Sequence, residues 1–192
     1  MAFTMHCCRN AKLVLIACLW LPLWLVAPAA LADGIAIRTA ELSVNDEGYD
    51  LDADYQIELN QTIEDALNKG IALYFEFEFQ LTRSRWYWFD EKIATLRNQY
   101  KLSYNALTRQ YRVGSAGNFQ NFATLDEALR ELSRIRERRV LDKSALEPDT
   151  SYTAGLRMQL DLSQLPKPIQ IDALASRAWS LDSGWYRWTA SL

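Results

Sequence analysis

Histidine and cysteine are almost absent from this 192-residue chain, which has three cysteines and one histidine. All four lie near the N-terminus, at His6, Cys7, Cys8 and Cys18. Residues 33–192 therefore contain no thiol and no imidazole. That part of the chain cannot form disulfide bonds, Ser-His-Asp or Cys-His catalytic sites, or the usual zinc, haem and copper sites. We predict no metal site and no cofactor, and a fold that depends on its hydrophobic core.

Long apolar runs are also scarce. The longest, Leu13–Val26, is shorter than the ~20 residues that a transmembrane helix needs. It follows Arg9 and Lys12 and precedes the small-residue triplet Ala30-Leu31-Ala32. A charged start, an apolar centre and a small-residue end form the pattern of a cleavable secretory signal peptide.

This pattern predicts the domain organisation. We expect a signal peptide at residues 1–32, cleavage after Ala32, and a single exported β-rich domain at residues 33–192, located in the periplasm. The protein would then contact the membrane only if the signal peptide stayed uncleaved. Two alternatives remain open at this point: an uncleaved N-terminal anchor, and a lipoprotein attached through Cys18.

Positive charge is in slight deficit, with 21 Lys and Arg against 24 Asp and Glu and a net charge of −3. Arg9 and Lys12 are the only charged residues before Asp33, so taking their two positive charges from −3 leaves −5 for the exported part. A net acidic domain argues against nucleic acid as a partner.

Alternating hydrophobic residues predict an antiparallel β fold. In Leu73–Leu81 the apolar side chains occupy every second position, so one face of this strand is buried. The next predicted strand, Ile93–Tyr104, pairs with it and sets Arg97 and Lys101 across from two glutamates of the first strand. Further strands are predicted at Ile35–Val44, Tyr49–Leu59, Gln110–Gly114 and Tyr152–Leu162, with a last strand around the C-terminal tryptophans.

Capping signals predict two helices. An asparagine precedes the short helix Gln61–Lys69, and a capping box at Thr124 begins one long amphipathic helix that extends to about Arg139. Leu165–Pro168 predicts an extended break at a sheet edge. The predicted fold is mainly β (α+β): an antiparallel β-sandwich of about seven to nine strands with one long amphipathic helix and one short helix. The alternative is a single curved sheet wrapped around the long helix.

An unusual aromatic run gives the first candidate site. Four consecutive aromatic residues follow two arginines, and in a strand two of the four must lie on the face that is not buried. With the C-terminal tryptophans they could hold a small ligand, a lipid or a glycan by stacking and charge. The alternative is a strand corner whose indoles cap the core. The candidate binding residues are Arg83, Arg85, Trp86, Trp88, Trp185 and Trp188.

Basic residues give a second candidate surface. Arg134 and Arg138 lie in the second half of the predicted long helix, and Lys167 lies in the predicted edge segment. We interpret them as candidate contacts for an acidic protein partner. The alternative is local, because positive charge near a helix C-terminus stabilises the helix by about 0.3–1 kcal/mol per charge.

Carboxylates are the remaining candidates for catalysis. Glu76, Glu78, Asp90 and Glu91 lie close together in the sequence. A carboxylate-only enzyme would need two of them about 5–10 Å apart, one with a raised pKa. We favour the alternative, a solvated strand face paired with basic residues.

Three segments resemble the proteobacterial domain of unknown function 4390 family: Phe122–Leu129, Leu160–Pro168 and Ser183–Trp188. The resemblance covers nearly all of residues 33–192 and implies export in a Gram-negative cell and a one-domain architecture. It implies no activity, ligand or catalytic residue. The resemblance also implies a gene position near a membrane sensor kinase, and hence a signalling partner in the cell envelope.

These observations favour a non-enzymatic protein-interaction module of the cell envelope, with an envelope protein as its partner and a link to a membrane sensor kinase. The first alternative is a small-ligand, lipid or glycan binder that uses the aromatic and arginine cluster. The second is a carboxylate-only enzyme. The sequence leaves the oligomeric state open.

Overall fold

The computed structural model describes residues 34–83, 90–147 and 150–190. They belong to a compact unit, Asp33–Leu192. Nine strands and three α-helices make up this part of the chain. The strands are β1 Ile35–Val44, β2 Gly48–Ile57, β3 Leu73–Arg83, β4 Glu91–Asn105, β5 Gln110–Ser115, β6 Asn118–Phe122, β7 Arg134–Asp142, β8 Tyr152–Leu160 and β9 Tyr186–Ala190. The helices are α1 Gln61–Asn68, α2 Leu125–Leu132 and α3 Lys167–Ala175.

The strands form two antiparallel sheets of different width. One has three strands in the order β1-β2-β7, and the other has six in the order β6-β5-β4-β3-β8-β9. Strand accounts for 54% of the structure, which confirms the prediction of a mainly β, sandwich-like fold. None of the helices in the described ranges is long and apolar enough to cross a bilayer.

Strand β3 lies at the centre of the wide sheet, as its alternating sequence predicts. Its inward side chains Phe75, Phe77 and Phe79 are at most 1% exposed. Strands β4 and β8 flank it on both sides. The predicted pairing with β4 is right for Arg97, which lies opposite Glu78, whereas Lys101 lies opposite Tyr74.

The predicted long helix is wrong in its second half. Helix α2 begins at the predicted capping box but ends after eight residues, at Leu132. The Ser133 carbonyl accepts a hydrogen bond from the Tyr55 N–H at 2.8 Å, and the following residues continue as β7 beside β2. Ile135 and Leu141 are buried in this strand. Pairing with β2 therefore overrides the helical propensity of the arginine-rich segment.

The predicted extended break at Leu165–Pro168 is right for Leu165 and Pro166, which have extended backbone, but wrong for Lys167 and Pro168, which begin α3. Pro166 caps the helix and Pro168 lies in its first turn. The first turn is where a missing backbone N–H costs nothing and a fixed φ suits the helix.

We predict that Phe77→Ala lowers the free energy of unfolding by about 3–5 kcal/mol, because it leaves a cavity in the most buried part of the core. Urea denaturation followed by tryptophan fluorescence measures this change. Thr95→Ala, at an exposed position of the neighbouring strand, serves as the control and should change stability by less than about 0.5 kcal/mol. A Phe77→Ala protein as stable as the control would contradict the packing described here.

Candidate functional site

The unequal widths of the sheets leave part of the wide sheet uncovered. The inward face of β3 is made of phenylalanines, and the residues opposite them on β4 are Tyr100, Asn98 and Leu96, which are only half-buried. Residues directly opposite in an antiparallel pair share a face of the sheet. The inward face of the wide sheet is therefore less buried at β4 than at β3, and it includes the polar residue Asn98.

A groove of about 660 Å³ occupies this uncovered region. Its lining combines polar residues such as Asn98, Ser115 and Gln120 with apolar residues such as Val113 and Ile135. The Ser115 hydroxyl donates a hydrogen bond to the Asn98 side-chain oxygen at 3.3 Å. Strand β7 forms one wall and the β5–β6 hairpin forms the other. The groove offers amide and hydroxyl groups to a ligand, flanked by aromatic and basic side chains.

The arginines of β7 fall into two groups. Arg136 forms an ion pair with Asp54 at 2.5 Å, and Arg139 forms one with Asp50 at 2.7 Å. Arg134, Arg136 and Arg138 all line the groove, but the side chains of Arg134 and Arg138 form no hydrogen bond or ion pair with any described residue. Two guanidinium groups of the groove wall are therefore available to an anionic ligand.

Strand β7 has a backbone irregularity at Glu137, between Arg136 and Arg138. Glu137 has a φ of 47° and donates its N–H to the Asp52 carboxylate at 3.1 Å. The register against β2 slips at this position, so that β7 carries one extra residue there. Such a β-bulge bends the strand and re-aims its side chains. A left-handed glutamate is strained, and strain of this kind concentrates at functional sites.

The hairpin wall depends on a close backbone approach. A Cβ added to Gly114 would lie 1.9 Å from the Asn118 carbonyl oxygen. The hairpin turns at Ala116 and Gly117, with φ of 50° and 94°. The side chain of Phe119 is partly exposed, with the Arg112 guanidinium 4.8 Å from its ring centre.

We predict opposite effects for two substitutions in this hairpin. Gly114→Ala should lower the free energy of unfolding by about 2 kcal/mol or more, because the two strands must move apart. Ala116→Gly should raise it, by up to about 1 kcal/mol, because it removes a strained φ. Chemical denaturation of both variants measures the difference. Equal stability of the two variants would contradict the described hairpin geometry.

The predicted aromatic site is only partly covered by the structure. Arg85, Trp86 and Trp88 lie outside the described residues. Arg83 is engaged, since it donates to Glu91 and to Glu147, each at 2.6 Å. The hydrogen bonds that Arg83 donates, first to Glu91 and then to Glu147, raise the pKa of Arg83 and hold it charged.

The two predicted C-terminal binding residues, Trp185 and Trp188, lie on opposite faces of the wide sheet. Trp185 covers Gly155 on the outer face of the wide sheet, with its ring 3.3 Å from the position a Cβ would take there. The Arg187 guanidinium lies 5.6 Å from the ring centre of Trp185. Trp188 instead packs against the core. The structure does not bring these two indoles together in one pocket.

Lys167, the third predicted protein contact, is the first residue of α3 and is exposed. It does not line the groove that holds Arg134 and Arg138. Of the three predicted protein contacts, the groove therefore brings together Arg134 and Arg138.

Of the predicted carboxylates, Glu78 has a lowered pKa. It is 7% exposed and accepts hydrogen bonds from Gln80 at 2.8 Å and from Arg97 at 2.9 Å. Burial raises the pKa of Glu78, but the hydrogen bonds and the Arg97 charge outweigh it and lower the pKa. A general acid needs a shift in the other direction. In the described ranges no three His, Cys, Asp or Glu side chains lie close enough to hold a metal ion.

The lowered pKa of Glu78 predicts a pH dependence of stability. A carboxyl whose pKa is lower in the folded state stabilises the fold above its unfolded pKa of 4.5, and this contribution is lost as the pH falls through the folded pKa. Thermal melts between about pH 6 and pH 3 should therefore show a shallower loss of stability for Glu78→Gln than for the unaltered protein. Identical acid limbs for both proteins would contradict the assignment.

The sequence did not reveal the floor of the groove. Asn98 lies on the same side of β4 as Leu96, Tyr100 and Leu102. A polar residue at an inward position of a predicted strand was the available signal. It could not show which part of the sheet would stay uncovered, because that depends on how far the second sheet extends.

The fold and the groove define a small β-sandwich domain with a basic, amide-lined concavity on its uncovered side. The chain belongs to the family described as Domain of unknown function (DUF4390), whose profile matches residues 32–189. No curated protein and no solved structure matches the chain.

Two of the segments that resemble the family have structural roles. Thr124 and Glu127 form the capping box of α2: the Thr124 hydroxyl accepts a hydrogen bond from the Glu127 N–H, and the Glu127 carboxylate accepts one from the Thr124 N–H. In the C-terminal segment, the Ser183 hydroxyl accepts a hydrogen bond from the Met158 N–H at 3.0 Å and so attaches the chain before β9 to β8. These motif residues fix the fold around the groove and do not line it.

Proposed function

We propose that this domain is a non-enzymatic protein-interaction module of the periplasm, and that its groove binds an acidic segment of an envelope protein. The observation that carries the proposal is the presence of two unpaired arginines, Arg134 and Arg138, in the wall of the groove. An arginine left without an ion pair in a concave site favours a carboxylate or another anion through charge-assisted hydrogen bonds.

The other lining residues suit a polypeptide. Side-chain amides such as Asn98 and Gln120 both donate and accept hydrogen bonds, as the peptide backbone requires. Tyr100 and Phe119 add aromatic surface, which is enriched at protein interfaces. The domain as a whole is acidic, so a local basic groove would select its partner by charge and repel acidic surfaces elsewhere. The outer domain of a membrane sensor kinase is the first partner to test.

Affinity capture from envelope extracts tests this function. The unaltered protein should retain a partner that the double variant Arg134→Gln/Arg138→Gln loses, and raising the salt concentration should weaken the capture. Arg177→Gln is the matched control, because Arg177 is exposed, forms no ion pair with a described residue and does not line the groove.

The fold of each variant is checked first by its melting temperature, which should match that of the unaltered protein because the replaced arginines form no internal ion pair. Retention of the same partner by the double variant would contradict the proposal.

A further inference from the structure

A second concavity lies beside the groove and shares Arg134 with it. This depression has a volume of about 450 Å³ and is lined by residues of β1, β2, α2 and β7. Two more arginines reach it, Arg38 from β1 and Arg130 from α2. Because Arg134 lines both concavities, they are neighbours on the surface.

The depression carries excess positive charge. Neither Arg38 nor Arg130 forms a hydrogen bond or ion pair with a described residue. The lining also contains Asp54 and Asp126. Asp54 is already engaged by Arg136 at 2.5 Å, and this hydrogen bond is the main reason that its pKa is lowered. The remaining balance is three arginines against one carboxylate that has no partner in the described residues, so the site favours an anion.

The four arginines belong to three elements and line two neighbouring concavities: Arg38 lies on β1, Arg130 on α2, and Arg134 and Arg138 on β7. Along β7, the backbone positions of Arg134 and Arg138 are separated by roughly 10–13 Å at about 3.3 Å per residue. A ligand that contacts all four must therefore extend across both concavities. An extended polypeptide advances at the same rate as the strand and can present successive carboxylates to successive arginines.

We infer that the groove and the depression form one continuous binding track, which takes an extended segment bearing several carboxylates. This inference rests on the proposed function and specifies its ligand: the acidic segment runs from Arg138 past Arg134 to Arg38 and Arg130. Glu131, which also lines the groove, sets a position where the segment must be uncharged or basic.

Fluorescence anisotropy with labelled oligoglutamate peptides tests the track in the protein purified from the periplasmic fraction. A 12-residue peptide should bind more than about tenfold more tightly than a four-residue peptide, because only the longer one can occupy both concavities at once. Arg38→Gln, Arg130→Gln and Arg138→Gln should each weaken binding of the long peptide by about fivefold. Arg177→Gln should leave it unchanged.

The outcomes separate the two proposals. If only Arg138→Gln weakens binding, or if both peptides bind equally well, the continuous track is overturned and the groove function stands. If no groove or depression variant affects binding, both are overturned. Vesicles with phosphatidylglycerol provide the last comparison: arginine-dependent binding to these vesicles, without binding to either peptide, would identify an anionic membrane surface instead and overturn both.

Discussion

The burial of the β3 phenylalanines is the interaction on which the rest of the structure depends. Phe75, Phe77 and Phe79 supply the largest apolar surfaces in the middle of the wide sheet, and the narrow sheet covers them. Without cysteines in residues 33–192, no disulfide can replace this core. Three strands cover the centre of a six-stranded sheet but not all of its width, so the groove is a direct geometric consequence of the way the core is built.

The charges of β7 follow from the same arrangement. This strand closes the narrow sheet, so one side of it faces β2 and the other faces the groove. On the β2 side the aspartates Asp50 and Asp54 pair with Arg139 and Arg136. Asp50 is 8% exposed and depends on this partner, because a buried carboxylate without one is costly. The side chains of Arg134 and Arg138 also line the groove and form no hydrogen bond or ion pair with a described residue, so they remain available to a ligand.

Local sequence patterns predicted the elements whose stability is local. The alternation in Leu73–Leu81 identified β3, and the capping box at Thr124 identified the start of α2. The end of α2 could not be predicted in this way, since arginine and glutamate suit a helix as well as an edge strand. The pairing with β2 decides that the segment after Leu132 is a strand. This pairing includes the ion pair between Arg139 and Asp50, which are 89 residues apart in the sequence.

The candidate site was predicted only in part, for the same reason. Arg134 and Arg138 were identified from the sequence as contacts for a partner, but on a helix rather than on a strand beside a groove. Arg38 gave no signal, because it occupies an ordinary position in its own strand, and Asn98 gave one only as a polar residue at an inward strand position. They become a candidate site only when the two sheets are packed together, which depends on contacts distant in sequence.

The central claim is that Arg134 and Arg138 are available to a ligand while Arg136 and Arg139 are not. Nuclear magnetic resonance of the arginine Nε–Hε groups tests it most directly, during titration with an acidic peptide. We expect the Arg134 and Arg138 signals to shift progressively, whereas those of Arg136 and Arg139 keep their positions. Equal shifts of all four signals, or shifts of Arg136 and Arg139 alone, would contradict it.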